Sequence, residues 1–224
     1  MQEKTVVIVA GGSGARMGTE IPKQFLLLAG KPILMHTITQ FFLFDSSISI
    51  AVVLPESYVS QWKQLCDEYK FTIPHTIVVG GDTRFQSVKN ALSKIFDTDL
   101  IAVHDGVRPL ISQSIITRCF EVAAEFGSAI PVVPMLDSLR QQTNDTSCNV
   151  LRENYFVVQT PQIFRSDWLL QAYEKPCKSS FTDDASVVEA AGYKMKLTEG
   201  SRENIKITEP LDLKIAALLL ADSN

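Results

Sequence analysis

The chain has 224 residues, 46% of them hydrophobic, and a formal net charge of −4 at pH 7. This length and composition suffice for one sizeable core, so we predict a single domain over residues 1–224. The negative charge argues against non-specific nucleic-acid binding, which needs a basic surface. No apolar run is long enough to span a bilayer and no signal peptide is recognisable, so we expect a cytoplasmic protein that does not enter membranes.

The cysteines indicate no structural metal or disulfide framework. Cys66, Cys119, Cys148 and Cys177 are widely spaced, with no Cys-x-x-Cys pair and no neighbouring histidine. We therefore expect four unpaired thiols.

The first predicted element is a strand, Thr5–Ala10, whose valines and isoleucines are typical of a buried strand. The segment that follows combines glycines with two cations: Gly11, Gly12, Gly14, Arg16 and Lys23. Glycines let main-chain N–H groups approach an anion closely, and the cations supply positive charge. We predict a phosphate-binding loop. The alternative is a tight turn between a strand and a helix.

Two common phosphate-binding loops are excluded by spacing. A dinucleotide fingerprint beginning at Gly12 and Gly14 requires its third glycine at position 17, where Met17 stands, and no acidic residue for a ribose lies between Met35 and Phe44. The ATPase-type loop requires a Gly-Lys-Ser/Thr sequence, which is absent here. A dehydrogenase and a P-loop ATPase are therefore disfavoured.

Later strands are predicted from runs rich in Val and Ile: Ser49–Leu54, Thr76–Val79, Leu100–His104, Ala129–Val133 and Tyr155–Gln159. Helical segments alternate with these strands. This alternation predicts an α/β fold of Rossmann-like type, with a mostly parallel sheet covered by helices on both faces.

Three helices are clearest in the pattern. The first apolar stripe contains Tyr58, Trp62, Leu65 and Tyr69, and the second contains Ile115, Cys119, Ala123 and Phe126. Ser112 is placed to begin the second helix and Gly127 to end it. We predict that both stripes, aromatics included, belong to the core. The last helix, Pro210–Ala221, carries Leu211, Ile215, Leu218 and Leu219 and is expected to close the domain.

A second glycine group follows the strand Thr76–Val79. Gly80, Gly81 and Asp82 precede a helix that includes Ser87. Their backbone amides and the hydroxyl can read the edge of a flat ring, which suggests a base-binding loop. The alternative, a turn that caps the helix, is compatible with that role.

Asp105 stands at the carboxyl end of the strand Leu100–His104. Ligands of open α/β sheets bind at this edge, and a carboxylate there suits Mg²⁺ that bridges phosphate oxygens. We predict a magnesium site at Asp105. A turn Asp that caps the next segment is the alternative.

Residues 135–152 interrupt the alternation. Two short stretches flank the polar sequence from Thr143 to Ser147, a pattern that is typical of a β-hairpin. An isolated hairpin is marginal in water, so we expect a symmetry mate to cover this projecting arm in a homodimer. The alternative is a solvent-exposed segment that has no functional role.

The motifs resemble those of the 2-C-methyl-D-erythritol 4-phosphate cytidylyltransferase family. The matching segments occur in order along the chain: AGGSGARMG at 10–18, IPKQFL at 21–26, HDGVRP at 104–109, TPQIF at 160–164, TDDAS at 182–186 and ENIKIT at 203–208. The resemblance implies a nucleotidyltransferase that joins CTP to a polyol phosphate, 2-C-methyl-D-erythritol 4-phosphate, in non-mevalonate isoprenoid synthesis. The ribitol 5-phosphate cytidylyltransferases share several of these motifs and remain an alternative, as does a non-catalytic CTP-binding module.

The resemblance also implies roles for residues. Ala10 and Gly11 would contact the nucleotide, Gly81, Asp82 and Ser87 would recognise cytosine, and Asp105 would bind the metal. The acceptor would be held by a larger set of polar residues: Arg108, Ser138, Arg152, Thr160, Thr182 and Lys206. Ser138 and Arg152 lie on the arm, so they are expected to serve the neighbouring subunit's pocket.

Nucleotidyl transfer explains the choice of catalytic candidates. A phosphate nucleophile is already ionised at neutral pH, so the reaction needs charge neutralisation and positioning rather than a general base. Arg16 offers a planar fork to two oxygens and Lys23 a compact charge, so we predict that these cations stabilise the transition state.

Overall fold

The computed structural model describes residues 2–12 and 21–222. Its strands are β1 Lys4–Val9, β2 Leu27–Leu28, β3 Lys31–Pro32, β4 Ser49–Leu54, β5 Thr76–Val79, β6 Leu100–Asp105, β7 Ser128–Pro134, β8 Leu139–Thr143, β9 Thr146–Val150, β10 Phe156–Val158, β11 Gln162–Arg165 and β12 Leu197–Glu199. Its α-helices are α1 Ile33–Phe44, α2 Glu56–Glu68, α3 Arg84–Leu92, α4 Gln113–Phe126, α5 Ser166–Glu174, α6 Asp184–Ala190 and α7 Pro210–Asp222. Short 3-10 helices cover Lys23–Phe25 and Arg152–Asn154.

The central sheet has the order β10-β7-β11-β6-β1-β4-β5, with β12 also paired to β7. Strands β6, β1, β4 and β5 are parallel to one another, as predicted. Strand β11 pairs antiparallel with both β6 and β7. Strands β11 and β12 were not predicted, because their sequences QIFR and LTE lack the runs of Val and Ile that indicated the other sheet strands.

Helices cover both faces of the sheet. Val6 and Ile8 of β1 belong to a core cluster with residues of α1, α2 and α4. Val7, between them, belongs to a second cluster with residues of α3, α5 and α6. Because successive side chains of a strand point to opposite faces, a strand buried on both sides must be apolar throughout, which explains the valine-rich sequence of β1.

The predicted limits of α4 are confirmed. Ser112 is the N-cap, and its Oγ accepts a hydrogen bond from the backbone N–H of Ile115; Gly127 ends the helix with a φ of 87°. The prediction for the apolar stripe was wrong at Phe126, which is 45% exposed. Phe126 is the last residue of the helix, and the Lys196 Nζ lies 4.3 Å from the centre of its ring.

Helix α7 packs through a face that the sequence did not indicate. Ala216 is buried, and Leu213 and Leu220 pack against a third cluster around Leu28 and Ile207. Three residues of the predicted closing face are instead exposed: Leu211, Ile215 and Leu218. A helix that is apolar all round gives no periodic signal of which side is buried.

Residues 135–152 contain the predicted hairpin. Strands β8 and β9 pair antiparallel, as a two-stranded sheet separate from the central one, and Asn144 at the turn has a φ of 52°. Most residues of the hairpin are exposed. The four cysteines are free thiols, as expected. Among residues 2–12 and 21–222, no helix combines the length and apolarity that crossing a membrane requires.

Candidate active site

The carboxyl ends of β1, β5 and β6 open onto a cavity of about 260 Å³. Its walls come from the loops after these strands, the Lys23 segment and the start of α3. Eight of the predicted nucleotide-binding and catalytic residues line it: Ala10, Gly11, Gly12, Lys23, Gly81, Asp82, Ser87 and Asp105. Gly14 and Arg16 lie outside the described residues. We call this space the nucleotide cavity.

Two glycines shape the nucleotide cavity. In residues 2–12 and 21–222, apart from the chain neighbours of Gly11, no atom lies within 4 Å of a Cβ added to Gly11, so this position borders space that a ligand can enter. A Cβ added to Gly81 would lie 2.3 Å from the Gln86 Cγ, so only glycine lets this loop pass so close to α3.

The loop before α3 is held by side chains of the helix itself. Thr83, not Asp82, is the N-cap, and its Oγ1 accepts from the backbone N–H of Gln86 at 3.0 Å. The Gly81 N–H donates to the Ser87 Oγ at 3.1 Å. The cap at Thr83 leaves Gly81 and Asp82 in the wall of the cavity, so it is compatible with the predicted base-binding role.

The Lys23 segment is tied to the first loop through Gln24. The buried Gln24 Nε2 donates to the Ala10 carbonyl at 2.9 Å. A Cβ added to Gly12 would lie 3.5 Å from the Lys23 Cε, so the lysine stem runs beside the glycine loop. Lys23 thus lies beside the part of the predicted phosphate-binding loop that the structure describes.

A second cavity, of about 300 Å³, adjoins the first. The two cavities share Arg84, Asp105 and Lys206 in their walls. The second contains four of the six predicted acceptor-binding residues: Arg108, Thr160, Thr182 and Lys206. We call it the acceptor cavity. Residues separated by about a hundred positions in sequence are thus brought together around Asp105.

Asp105 is the centre of a charge cluster. Its Oδ2 accepts from the Arg108 Nε at 3.0 Å and lies 3.1 Å from the Lys206 Nζ. Burial by itself raises the pKa of Asp105, but the charges of Lys206, Arg108 and Arg84 outweigh burial and hold the pKa below its usual value. Asp105 is therefore an anion at neutral pH, surrounded by cations.

Thr160 is oriented by His104. Burial lowers the pKa of His104 to about 4, so the ring is neutral near pH 7. Its Nε2 lies 3.2 Å from the Arg108 carbonyl, which can only accept, so we assign the ring proton to Nε2. The Nδ1 then accepts from the Thr160 Oγ1 at 3.1 Å, and that oxygen accepts from the Asp105 N–H at 3.1 Å. The Thr160 hydroxyl can therefore offer a ligand a lone pair but not its proton.

Arg108 is more enclosed than an open phosphate-binding arginine would be. Besides its contact with Asp105, its Nη1 donates to the Asn204 carbonyl at 2.7 Å. The buried Asn204 in turn donates from Nδ2 to the Thr160 carbonyl at 2.9 Å. These bonds fix the loop that carries Lys206 against the end of β6.

The two arm residues lie elsewhere. Ser138 and Arg152 line a small hollow at the base of the hairpin, and neither lines the nucleotide or the acceptor cavity. The Arg152 Nη1 donates to the Leu136 carbonyl within the arm. Within one chain, the structure does not bring these residues to the other predicted acceptor-binding residues.

The residues that hold the acceptor cavity together were not predicted from the sequence. Arg84 lines both cavities and forms two hydrogen bonds with Asp184, while the Gln159 side chain binds Ser201 and Asn204. Arg84 stands two positions after the second glycine group and Asp184 lies in the matched segment TDDAS, so both stood beside or inside recognised sequence. No local signal pairs residues a hundred positions apart.

The site fits a cation held mainly by substrate phosphates. In the part of the chain that the structure describes, no group of three His, Cys, Asp or Glu side chains is placed to hold a metal. The two ion pairs that Asp105 forms with described residues both use Oδ2, so Oδ1 can serve as an oxygen ligand for a metal ion. Mg²⁺ is commonly bound through one or two carboxylates together with substrate phosphates and water. The donor set therefore suits Mg²⁺ brought in with a nucleotide.

Comparison with known proteins agrees with this geometry. The sequence model of the 2-C-methyl-D-erythritol 4-phosphate cytidylyltransferase family matches residues 4–222. The chain belongs to this family. A relative with that name from Bacteroides thetaiotaomicron is 50% identical over 218 residues, covering 97% of this chain and 100% of the relative. One from Porphyromonas gingivalis is 49% identical, covering 98% of each protein.

Solved structures confirm the fold. The crystal structure of 2-C-methyl-D-erythritol 4-phosphate cytidylyltransferase from Thermus thermophilus superposes with a TM-score of 0.78 at 31% identity, covering 98% of each chain. A 4-diphosphocytidyl-2C-methyl-D-erythritol synthase from Anaerococcus prevotii gives a TM-score of 0.85 at 24% identity, which supports the fold alone. The Rossmann-like α/β architecture of the family is therefore confirmed for this chain.

Proposed function

We propose that the chain transfers the cytidylyl group of CTP to 2-C-methyl-D-erythritol 4-phosphate and releases pyrophosphate, as a step of non-mevalonate isoprenoid synthesis. The observation that carries the proposal is the pair of adjoining cavities that share Asp105 and Lys206, in a member of this family. One cavity lies beside glycine loops and the other is lined by polar side chains. Two substrates can therefore meet at their common wall. The proposal keeps the cytoplasmic location expected from the sequence.

The reaction is a displacement at phosphorus. An acceptor phosphate oxygen forms a bond to the α-phosphorus of CTP, and the bond from that phosphorus to the oxygen bridging to the β-phosphate breaks. The electron pair leaves with pyrophosphate. No general base is required, and the enclosed, neutral His104 is consistent with that absence.

Charge neutralisation falls to the cations at the cavities. Lys23 beside Gly12, together with Arg16, would stabilise the oxygens of the pentacoordinate phosphorus. Lys206, held 3.1 Å from Asp105 at the shared wall, would hold the acceptor phosphate close to that phosphorus. Asp105 orients Lys206 and Arg108 and prevents the cluster from becoming an uncompensated positive patch.

Asp105 would also hold Mg²⁺ through its remaining oxygen. When bound, Mg²⁺ supplies positive charge to the triphosphate and so helps pyrophosphate to leave. The protein's own contribution is to keep the carboxylate ionised, which the surrounding cations do by lowering its pKa.

We further propose that the chain works as a homodimer through the arm. Several large apolar side chains at the base of the arm and along β10 are exposed: Leu136, Leu151, Tyr155, Phe156, Val157 and Val158. A second copy would cover this surface and would place Ser138 and Arg152 at its neighbour's acceptor cavity. Sedimentation at micromolar concentration should give a dimer, and a monomer at all concentrations would contradict this part of the proposal.

The substrate assignment is tested by offering CTP and Mg²⁺ with either 2-C-methyl-D-erythritol 4-phosphate or ribitol 5-phosphate. Pyrophosphate release should be faster with the erythritol phosphate, and phosphorus NMR should detect a new diphosphate ester. Preferential use of ribitol 5-phosphate would overturn the acceptor assignment. CTP binding without pyrophosphate release from any polyol phosphate would overturn the assignment as an enzyme.

A further inference from the structure

Arg84 and Asp184 form a close ion pair between two distant segments of the chain. The Arg84 Nη1 donates to the Asp184 Oδ1 at 2.9 Å and Nη2 donates to Oδ2 at 2.5 Å. Asp184 is fully buried, and its Oδ1 also accepts from the Tyr173 hydroxyl at 2.6 Å. A carboxylate with three hydrogen bonds in the interior is held in one orientation, and it holds its partners in turn.

The pair connects the starts of two helices. Arg84 is the first residue of α3, two positions after Asp82 of the predicted base-binding loop. Asp184 is the first residue of α6, two positions after Thr182 in the acceptor cavity. Each helix therefore presents the segment before it to a different cavity, and the ion pair joins the two helix starts.

Hydrogen bonds tie Asp183, in the segment before α6, to the helix and to β11. The Asp183 Oδ1 accepts from the Ser186 N–H at 2.9 Å, and its Oδ2 accepts from the Gln162 Nε2 at 2.8 Å. Gln162 also accepts from the Ala185 N–H. A displacement of α6 is therefore passed on to Thr182, because the helix cap and the segment before it move as one unit.

The ion pair also lies at the junction of the cavities. Arg84 lines both of them, and its positive charge helps to lower the pKa of Asp105, whose larger influences are burial, Lys206 and Arg108. The Arg84 side chain retains 32% exposure while Asp184 has none. Arg84 thus contacts the buried Asp184 on one side and lines the two substrate cavities on the other.

We propose that Arg84 and Asp184 are a positioning pair that fixes the acceptor-binding segment at Thr182 relative to the nucleotide-binding loop at Gly81 and Asp82. This inference rests on the proposed function, since it concerns the alignment of that function's two substrates. In-line transfer depends on the placement of the acceptor oxygen against the α-phosphorus, and small misplacements lower the rate strongly.

The pair is tested by changing the lengths of its two side chains while keeping their charges. Arg84→Lys removes the two-pronged contact and should lower kcat about tenfold or more, while the KM for each substrate changes by less than about threefold. Asp184→Glu adds one methylene, so the double variant Arg84→Lys/Asp184→Glu should recover part of the lost kcat. Arg165→Lys is the matched control, because Arg165 makes the same two-pronged contact with Asp167 at the surface.

Several outcomes would overturn the proposal. An unchanged kcat in Arg84→Lys would do so, and so would a rise in the KM for CTP alone, which would make Arg84 simply a nucleotide contact. A purely structural role would be indicated if the double variant did not reverse the fall in kcat and if both variants also had a clearly lower melting temperature than the unaltered protein.

A second measurement needs no turnover. Amide hydrogen exchange with CTP as the probe should show slower exchange in residues 80–88 and also in residues 182–190 of the unaltered protein. In Arg84→Lys, the effect at 182–190 should disappear while that at 80–88 persists. Absence of the distant effect in the unaltered protein, or its persistence in the variant, would contradict the proposal. If no polyol phosphate is turned over, the proposed function is wrong, yet the exchange result still decides on the positioning pair.

Discussion

The nucleotide cavity and the acceptor cavity meet at Asp105 but are built in different ways. The nucleotide cavity is lined largely by loops that directly follow β1 and β5, with glycines in both loops. The acceptor cavity is lined by side chains from β6, β11, the Thr182 segment and the Lys206 loop. The first uses the backbone of short local motifs, and the second uses buried contacts between distant residues.

This difference bears on how each cavity responds to change. A backbone loop keeps its hydrogen-bonding groups when a nearby side chain is replaced. A cavity made of paired side chains loses both the replaced group and the orientation of its partner, because the partner is left with an unmet hydrogen bond or charge. A substitution in the acceptor cavity should therefore disturb more neighbouring residues than a substitution in the nucleotide cavity.

Asp105→Asn should have the largest effect, because this carboxylate belongs to both cavities. The variant leaves Lys206 and Arg108 without their common anion and replaces the charged oxygen proposed for Mg²⁺ by a neutral amide oxygen, which is a weaker ligand. We expect pyrophosphate release to fall about 100- to 1,000-fold. Asp167→Asn, at an exposed ion pair, is the control and should retain normal turnover. A decrease of less than about tenfold in the rate of pyrophosphate release would show that Asp105 does not take part in the transfer reaction.

The same contrast explains what the sequence could predict. The loops at Gly11 and Gly81 were recognisable because glycines follow a valine-rich strand, and both signals are local. Asp105 was recognisable because it ends such a strand. The pairing of Arg84 with Asp184, and of Gln159 with Asn204, depends on the packing of α3, β11 and α6, which no spacing rule encodes.

Helix α7 illustrates the same limit in the fold. Its existence and start at Pro210 followed from the sequence, but its buried face did not. Leucine and isoleucine occur on several sides of the helix, so the buried side is decided by the cluster around Leu28 and Ile207. Element type was predictable here, whereas orientation required the tertiary structure.

The pH dependence of stability shows whether the buried contacts of His104 support the acceptor cavity. Its pKa in the folded protein is lowered to about 4, so the unfolded chain binds more protons between pH 6.5 and 4. The stability provided by the neutral ring is complete above pH 6.5 and is lost as the pH falls towards 4. From this shift we expect a loss of about 3 kcal/mol in the free energy of unfolding over that range.

Denaturant titrations at several pH values measure the effect of His104. His104→Gln keeps a donor and an acceptor but cannot be protonated, so the part of the acid-induced loss that comes from His104 should disappear in this variant, while the part from His36, whose pKa burial also lowers, should remain. Equal pH dependence in both proteins would mean that His104 is not held neutral. The His104 ring contacts Thr160 and the Arg108 carbonyl, and both of these residues line the acceptor cavity, so we assign this loss to the acceptor side.

Lys23→Ala tests the nucleotide cavity. The lost interaction grows as the pentacoordinate phosphorus forms, so kcat should fall about 100-fold while the affinity for CTP changes much less. Steady-state kinetics and calorimetric titration with CTP separate the two quantities. Lys63→Ala, at an exposed position on α2, is the control. Near-normal turnover in Lys23→Ala would show that the catalytic cation has been misplaced.

Arg152→Ala is expected to have the smallest effect and addresses the arm that lies outside both cavities. If Arg152 contacts the acceptor in the neighbouring subunit, its loss should raise the KM for the acceptor about tenfold and leave the KM for CTP unchanged. Arg140→Ala is the control, because Arg140 lies on the same arm and binds Ser147 within it.

Mixing Arg152→Ala chains with Lys23→Ala chains decides between an exchanged arm and a local one. In a heterodimer with exchanged arms, one site combines an intact Lys23 with an intact Arg152 from its partner, while the other site lacks both. At low acceptor concentration, verified heterodimers should then regain about half of the normal turnover. If each arm served its own chain, every site would lack one residue and no recovery would occur. The acceptor cavity would in that case be complete within one chain, unlike the assembly proposed here.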